Sequence, residues 1–330
     1  MDKTEKTKTL KSLNVGEQFI GFCVIRKKEK RYKNSGEPYL VLEFGDGSGR
    51  LSAKIWEDVS KWDEMIDTGG IVKIKATAQF FNNVKELKIL KLRLKNDTDR
   101  IDYNNLLPHS NKDINDLRKR FYSHINSIKN KYLSELLADI FGDKKFAEKY
   151  FQTPAGKLWH HNYLYGMLEH VITLLDFSVI IKNHYSSIDL DLLKTGIFVH
   201  DIGKMQEYSL EGFIDKSDSG RLLGHINIGY CFVDKKIDQI EGFPEELRMK
   251  ILHSILSHHG EKEKGSPIEP MTIEAVVLYL LNELDSKTNA ITRVLINDSM
   301  PDSNWSKFVQ LMDRYIYTGV KLKNDAGKKN

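Results

Sequence analysis

Histidine and aspartate occur in this chain where ordinary helices do not put them. Met167, Val171 and Leu174 form an apolar stripe at helical spacing, with His170 among them. Leu193, Ile197 and His200 form a second stripe, one step before Asp201; Leu247, Ile251, Ile255 and His258 form a third, one step before His259. In a fourth, Leu278 and Leu281 lead by a further interval of four to Asp285. A buried imidazole or carboxylate without a partner costs on the order of several kcal/mol. Four such helices therefore imply groups that converge and satisfy one another. A divalent ion does this with the fewest parts, because it neutralises the aspartates and accepts imidazole nitrogens. Mixed His and Asp donors suit Mn, Fe, Co, Ni or Zn better than they suit Mg or Ca. Manganese is the expected ion, with cobalt, iron, nickel and zinc as alternatives.

The densest of these stretches is GIFVHDIGK, residues 196–204. Neighbouring side chains on a helix point about a hundred degrees apart, yet at a helix end His200 and Asp201 can embrace one ion, or Asp201 can bridge two. Gly203 relieves crowding in the next turn. Lys204, four residues beyond His200, can hold a phosphate oxygen. Taken singly, each histidine also has a plain reading as a core or surface residue. His109, His124, His184 and His253 are read that way, and His160 and His161 stay unassigned.

These groups need a helical scaffold, and the chain supplies one only after its first third. From Glu17 to Lys95 the pattern alternates, as in Leu40, Leu42 and Phe44 and in Val72, Ile74, Ala76 and Ala78. About five strands follow, with turns at Gly45 to Gly49 and at Asn82-Asn83 and a helix-sized insert at 57–67. This predicts a small β-barrel resembling the OB-fold, over residues 1–95. Residues 96–112, which contain Pro108, lose all periodicity and read as a linker. Residues 113–330 read as an all-α domain, interrupted by a loop at 210–224 and ending in a polar tail.

Charge is divided in the same way. Residues 1–100 hold 21 Lys and Arg against 15 Asp and Glu, and the remainder holds 29 against 31. The basic third is thus expected to meet a polyanion. RKKEKRYKNSG, read as the loop between the first two strands, sets Lys27, Lys28, Lys30, Arg31 and Lys33 around Tyr32. With Tyr39, Trp56, Phe80 and Phe81 as further stacking surfaces, the barrel is expected to bind single-stranded nucleic acid. The longest apolar run is far too short for a membrane span, and the charged start has no signal-peptide character. Cys23 and Cys231 match no metal or redox spacing. The expectation is a cytoplasmic protein with reduced thiols and no membrane partner, self-association being left open.

The order His170, His200-Asp201, Asp285, each on its own helix, resembles the HD-domain metal-dependent phosphohydrolases over roughly 153–316. LLGHINIG with His225, and ILSHHGEKEKGSP with His258 and His259, resemble the subset of these proteins that holds two metals. Joined to an OB-like barrel, the whole chain resembles the YhaM-type 3′→5′ exoribonucleases. The resemblance implies His170, His200, Asp201 and Asp285 around one ion, and His225, His258 and, less surely, His259 around a second. It implies hydrolysis of single-stranded RNA, with DNA as a further substrate, to nucleoside 5′-monophosphates; Asp201 and Lys204 would act at the reacting phosphate. Three other readings compete: hydrolysis of a small nucleotide, an iron-dependent oxygenase, and a single-strand-binding protein without catalysis.

Overall fold

A computed structural model describes residues 8–82, 84–210, 213–297 and 303–319; Asn83 of the expected turn lies outside them. The chain divides into two compact units, residues 1–109 with 209–215, and residues 110–208 with 216–330.

In the first unit, β1 (Gln18–Tyr32), β2 (Pro38–Gly45), β3 (Arg50–Ile55), β4 (Ile71–Phe81) and β5 (Val84–Leu94) close into a barrel in the order β1-β2-β3-β5-β4. The closing pair is β3 with β5, which run parallel at Ser52↔Glu86 and Ala53↔Leu87; the other pairings are antiparallel. Closure gives each barrel strand a partner on both sides. Inward positions of the alternating segments, among them Phe19, Ile25, Leu40, Leu42, Phe44 and Ile74, fill the interior. The expected insert is the short helix α1 (Val59–Met65).

One expectation is corrected here. Residues 26–32 are strand, not loop: β1 stays paired with β2 through Lys30↔Leu40, Arg31↔Tyr39 and Tyr32↔Pro38, past a bulge between Ile25 and Lys27. The turn itself is short, with Lys33 N–H donating to Glu37 O at 2.9 Å and Gly36 N–H donating to Lys33 O at 2.9 Å. The run of polar residues hid the alternation, because the pairing is dictated by β2 and not by burial of β1's own side chains. Within 96–112, Tyr103–Leu106 forms a 3-10 turn, and Leu106 is buried beside Val24 and Ile71.

The second unit is helical: α2 (Ile114–Asn126), α3 (Lys131–Phe141), α4 (Lys144–Gln152), α5 (Gly166–His184), α6 (Leu190–Val199), α7 (Lys204–Glu207), α8 (Asp218–Ile237), α9 (Glu245–Ser257) and α10 (Ile273–Asn297). Side-chain oxygens of Asp113, Asn130, Asp143 and Asp189 cap α2, α3, α4 and α6, satisfying amides that a helix start leaves open. Every residue from Leu192 to Val199 is buried, so α6 is the central helix around which α5, α9 and α10 pack. That is why the histidine at its end is inside the unit.

Candidate metal centre

His170 projects from α5, His200 follows the last turn of α6 with Asp201 next to it, and Asp285 projects from α10. His258 and His259 follow the end of α9. His225 starts the second half of α8, immediately after Gly224 breaks the helix at φ 71. That left-handed backbone suits glycine and turns the chain at the histidine. Gly203 does the complementary job: a β-carbon there would stand 1.9 Å from the His225 carbonyl, so only glycine lets the two segments approach.

Three histidines are held in one tautomer by acceptors that cannot donate. Nδ1–H of His200 donates to the Ile197 carbonyl at 2.8 Å, that of His258 to the Ile255 carbonyl at 2.8 Å, and that of His259 to the Lys264 carbonyl at 3.1 Å. Nδ1 of His225 lies 3.1 Å from a Glu207 carboxylate oxygen. In the neutral ring each Nε2 then carries a lone pair, the form that binds metals. His200 Nε2 stands 3.2 Å from Asp201 Oδ2, and both His225 Nε2 and His258 Nε2 stand 3.4 Å from Asp201 Oδ1. None of these approaches has hydrogen-bond geometry; the three nitrogens, His170 Nε2 and Asp201 Oδ1 are buried without a hydrogen-bond partner.

Lone pairs facing a carboxylate across such distances repel unless a cation lies among them. Donors that share one ion at about 2.1 Å are separated by roughly 3.0–3.4 Å. The geometry therefore fits metal. Ligand atoms of His170, His200 and Asp201 lie within 4.8 Å of one another, as do those of His225, His258 and His259. Asp285 stands with His170, whose Nδ1–H donates to its Oδ2 at 2.6 Å.

Lys204 is buried, and its ammonium donates to Asp201 Oδ2 at 2.6 Å and to the Ala155 carbonyl at 2.6 Å. One of its three protons remains for another acceptor. Two histidines that the sequence left unassigned also belong here: His161 Nε2–H donates to Asp285 Oδ2 at 2.8 Å, and His160 is buried with Nδ1 unpartnered. Spacing could not reveal them, because they sit in the irregular stretch before α5. Glu207, which orients His225, was missed for the same lack of period. Among the histidines read as plain, His124 pairs with Asp176 and His253 accepts from the Met271 amide.

Burial disfavours charge on the imidazoles and pushes His258 down to about 4 and His259 to about 2, the latter helped by the neighbouring His258 and His225. Burial works against the Asp201 carboxylate too, but Lys204 and His200 beside it hold it well below the usual carboxylate range. All these shifts have the same sign for stability. Below pH 6.5 the unfolded histidines take up protons that the folded ones refuse, so folding weakens as pH falls toward about 4, and Asp201 extends the loss below that. Urea titrations of metal-free protein should give a midpoint that rises steadily from pH 4 to 6.5. A flat profile would contradict this.

On the barrel, Tyr39 and Trp56 stack with ring centroids 4.5 Å apart, and Lys33 lies over Trp56 at 5.3 Å. Lys54, two residues before Trp56, lies over Phe81 at 3.6 Å. Tyr32, Trp56, Phe80 and Phe81 are all exposed. The basic residues are less free than their spacing implied. Lys28 Nζ donates to the Asp63 and Ile66 carbonyls at 2.8 and 2.7 Å, tying β1 to the end of α1. Lys27 and Arg31 both pair with Glu29, Lys30 with Asp63 and Lys33 with Glu37.

Among the described residues no helix is long and apolar enough to cross a membrane. The HD domain model matches residues 167–287, the segment that runs from the start of α5 through Asp285. A curated relative from Geobacillus sp. (strain WCH70), named 3′-5′ exoribonuclease YhaM, is 32% identical over 85% of this chain and 86% of its own. One of the same name from Bacillus licheniformis is 29% identical over 85% of this chain and 88% of its own. At that identity and coverage, and with the HD segment matched, the chain belongs to the YhaM 3′-5′ exoribonuclease family.

Proposed function

We propose that this protein is a metal-dependent 3′→5′ exonuclease that shortens single-stranded RNA and releases nucleoside 5′-monophosphates. The observation that carries this is the set of imidazole lone pairs gathered around Asp201, an arrangement that cations among them would stabilise. His170, His200 and Asp201 would hold one ion, with Asp285 accepting from His170 Nδ1–H to fix that ring, and His225, His258 and His259 a second, with Asp201 presenting one oxygen to each group. Bound divalent ions would supply a nucleophile from water at neutral pH and stabilise charge on the phosphate. Mixed nitrogen and oxygen donors favour Mn, Fe, Co, Ni or Zn over Mg or Ca, and of these manganese is the ion proposed. Glu207 fixes the ring of His225, and the carbonyls of Ile197, Ile255 and Lys264 fix His200, His258 and His259 with lone pairs toward the centre. Lys204 holds Asp201 ionised and offers its remaining proton to a phosphate oxygen.

The barrel would hold the strand, with bases on Tyr32, Tyr39 and Trp56 and phosphates near Lys27, Lys30, Arg31 and Lys33. Two free cysteines suit a reducing compartment, and the cytoplasm is the proposed location. Replacing Lys27, Lys30 and Lys33 together by Ala should flatten the log–log salt dependence of RNA affinity by about 2, at roughly 0.7 per phosphate contact on single strands. An unchanged slope would clear these residues of the role. Lys28→Ala should instead lower the urea midpoint, because it removes two hydrogen bonds that tie β1 to the end of α1. The reaction is tested with 5′-labelled single-stranded RNA and Mn: a ladder shortening from the 3′ end is expected. Intact RNA alongside hydrolysed mononucleotides would contradict the exonuclease.

A further inference from the structure

Residues 153–165 cross the centre before α5 begins, and α10 grips them along one face. Asp285, Asn289 and Arg293, spaced by four, each take hold of this stretch. Asp285 Oδ2 accepts from His161 Nε2 at 2.8 Å, Asn289 Oδ1 accepts from the His161 amide at 2.9 Å, and Arg293 donates to the Trp159 carbonyl at 2.6 Å. From the other side Lys204 donates to the Ala155 carbonyl at 2.6 Å. Between these anchors His161 has φ 44, a left-handed conformation that a β-carbon makes costly, on the order of 1 kcal/mol or more. Such a conformation persists only where the surroundings enforce it.

His160 is more than nine-tenths buried, and its Nδ1 has no partner among the described residues. Its ring centroid lies 5.1 Å from that of His170, and ligand atoms of His160, His161, His170 and Asp285 all fall within 4.8 Å of one another. His161 has both ring nitrogens engaged, by Asp285 at 2.8 Å and by the Tyr163 hydroxyl at 2.9 Å, and so has no lone pair to offer a metal. His160 has an unpartnered Nδ1, and it belongs to the group whose ligand atoms, with those of His170 and Asp285, lie within 4.8 Å of one another.

We propose that His160 is an additional ligand of the ion held at His170, and that His161, locked by α10, is the residue that positions it. This rests on the metal-dependent reading above. It makes the two ions unequal: the ion at His170 gains a donor and is held more tightly than the one at His225, His258 and His259.

The test is equilibrium dialysis and visible absorption of the full chain with Co(II) alone, without RNA. Wild type should bind in two classes of different affinity. His160→Ala should weaken the tighter class by at least about 10-fold and alter its absorption bands, leaving the weaker class unchanged. His160→Gln, which keeps the volume, should do the same and guards against a folding defect, with far-UV circular dichroism as the check. Asn289→Ala should weaken the same class by a smaller factor and shift the same bands. Unchanged Co(II) affinity and spectrum in both His160 variants would overturn the proposal, and a raised KM for RNA in them would make His160 a substrate contact instead. His200→Ala separates the two levels. Loss of Co(II) there with none lost in the His160 variants sinks only this proposal; full retention in all of them sinks the metal reading itself.

Discussion

Asp201→Asn should reduce hydrolysis by at least about 10³-fold while leaving RNA affinity within about twofold. Asp201 is almost wholly buried, and its two oxygens face three imidazole lone pairs and the Lys204 ammonium. The amide has nearly the same shape but no charge, so it neither neutralises a cation nor holds one between two groups. Asp201→Ala goes further. It leaves Lys204 buried with only the Ala155 carbonyl, and removing one member of a buried charge pair costs about 3–5 kcal/mol. Urea unfolding of the metal-free variants should therefore rank wild type above Asn and Asn above Ala. Wild-type turnover in the Asn variant would remove the chemical role assigned to the centre. A large loss of RNA affinity would show that the helical unit, and not the barrel alone, grips the strand.

The second large effect concerns the ions themselves. Stripping them with a chelator should abolish hydrolysis, leave the barrel's affinity for RNA intact, and lower the melting temperature. Ions that bind only the folded chain stabilise it by mass action, about 2.7 kcal/mol per site at a hundred times the dissociation constant. Adding Mn back should raise the melting temperature and restore activity over the same concentration range. Restored stability without activity would point to a structural site. Activity that survives exhaustive chelation, with metal content verified as nil, would contradict the account.

The barrel and the helical unit were both legible because alternation and helical spacing leave strong marks when one face is buried. His170, His200, Asp201, His258 and Asp285 were legible for a related reason: each lies on or at the end of an apolar stripe, where a polar side chain is expensive. The basic segment misled because pairing with β2, and not burial of its own side chains, makes residues 26–32 a strand. Two of its cations, Lys28 and Lys30, are held by a partner distant in sequence, Asp63. His160, His161 and Glu207 escaped because they occupy irregular or very short elements, where no period singles out one residue. Their roles come from contacts 124 residues apart, as between His161 and Asp285, which only the folded chain brings together.

The most direct test of the central claim is a count of ions. Purified protein dialysed against Mn and analysed by mass spectrometry for bound metal should carry two ions per chain, falling to one or fewer in Asp201→Asn with the fold intact. Wild-type protein that binds no Mn, Co, Fe, Ni or Zn above background would contradict the account, since the lone pairs gathered around Asp201 would then have no cation to hold.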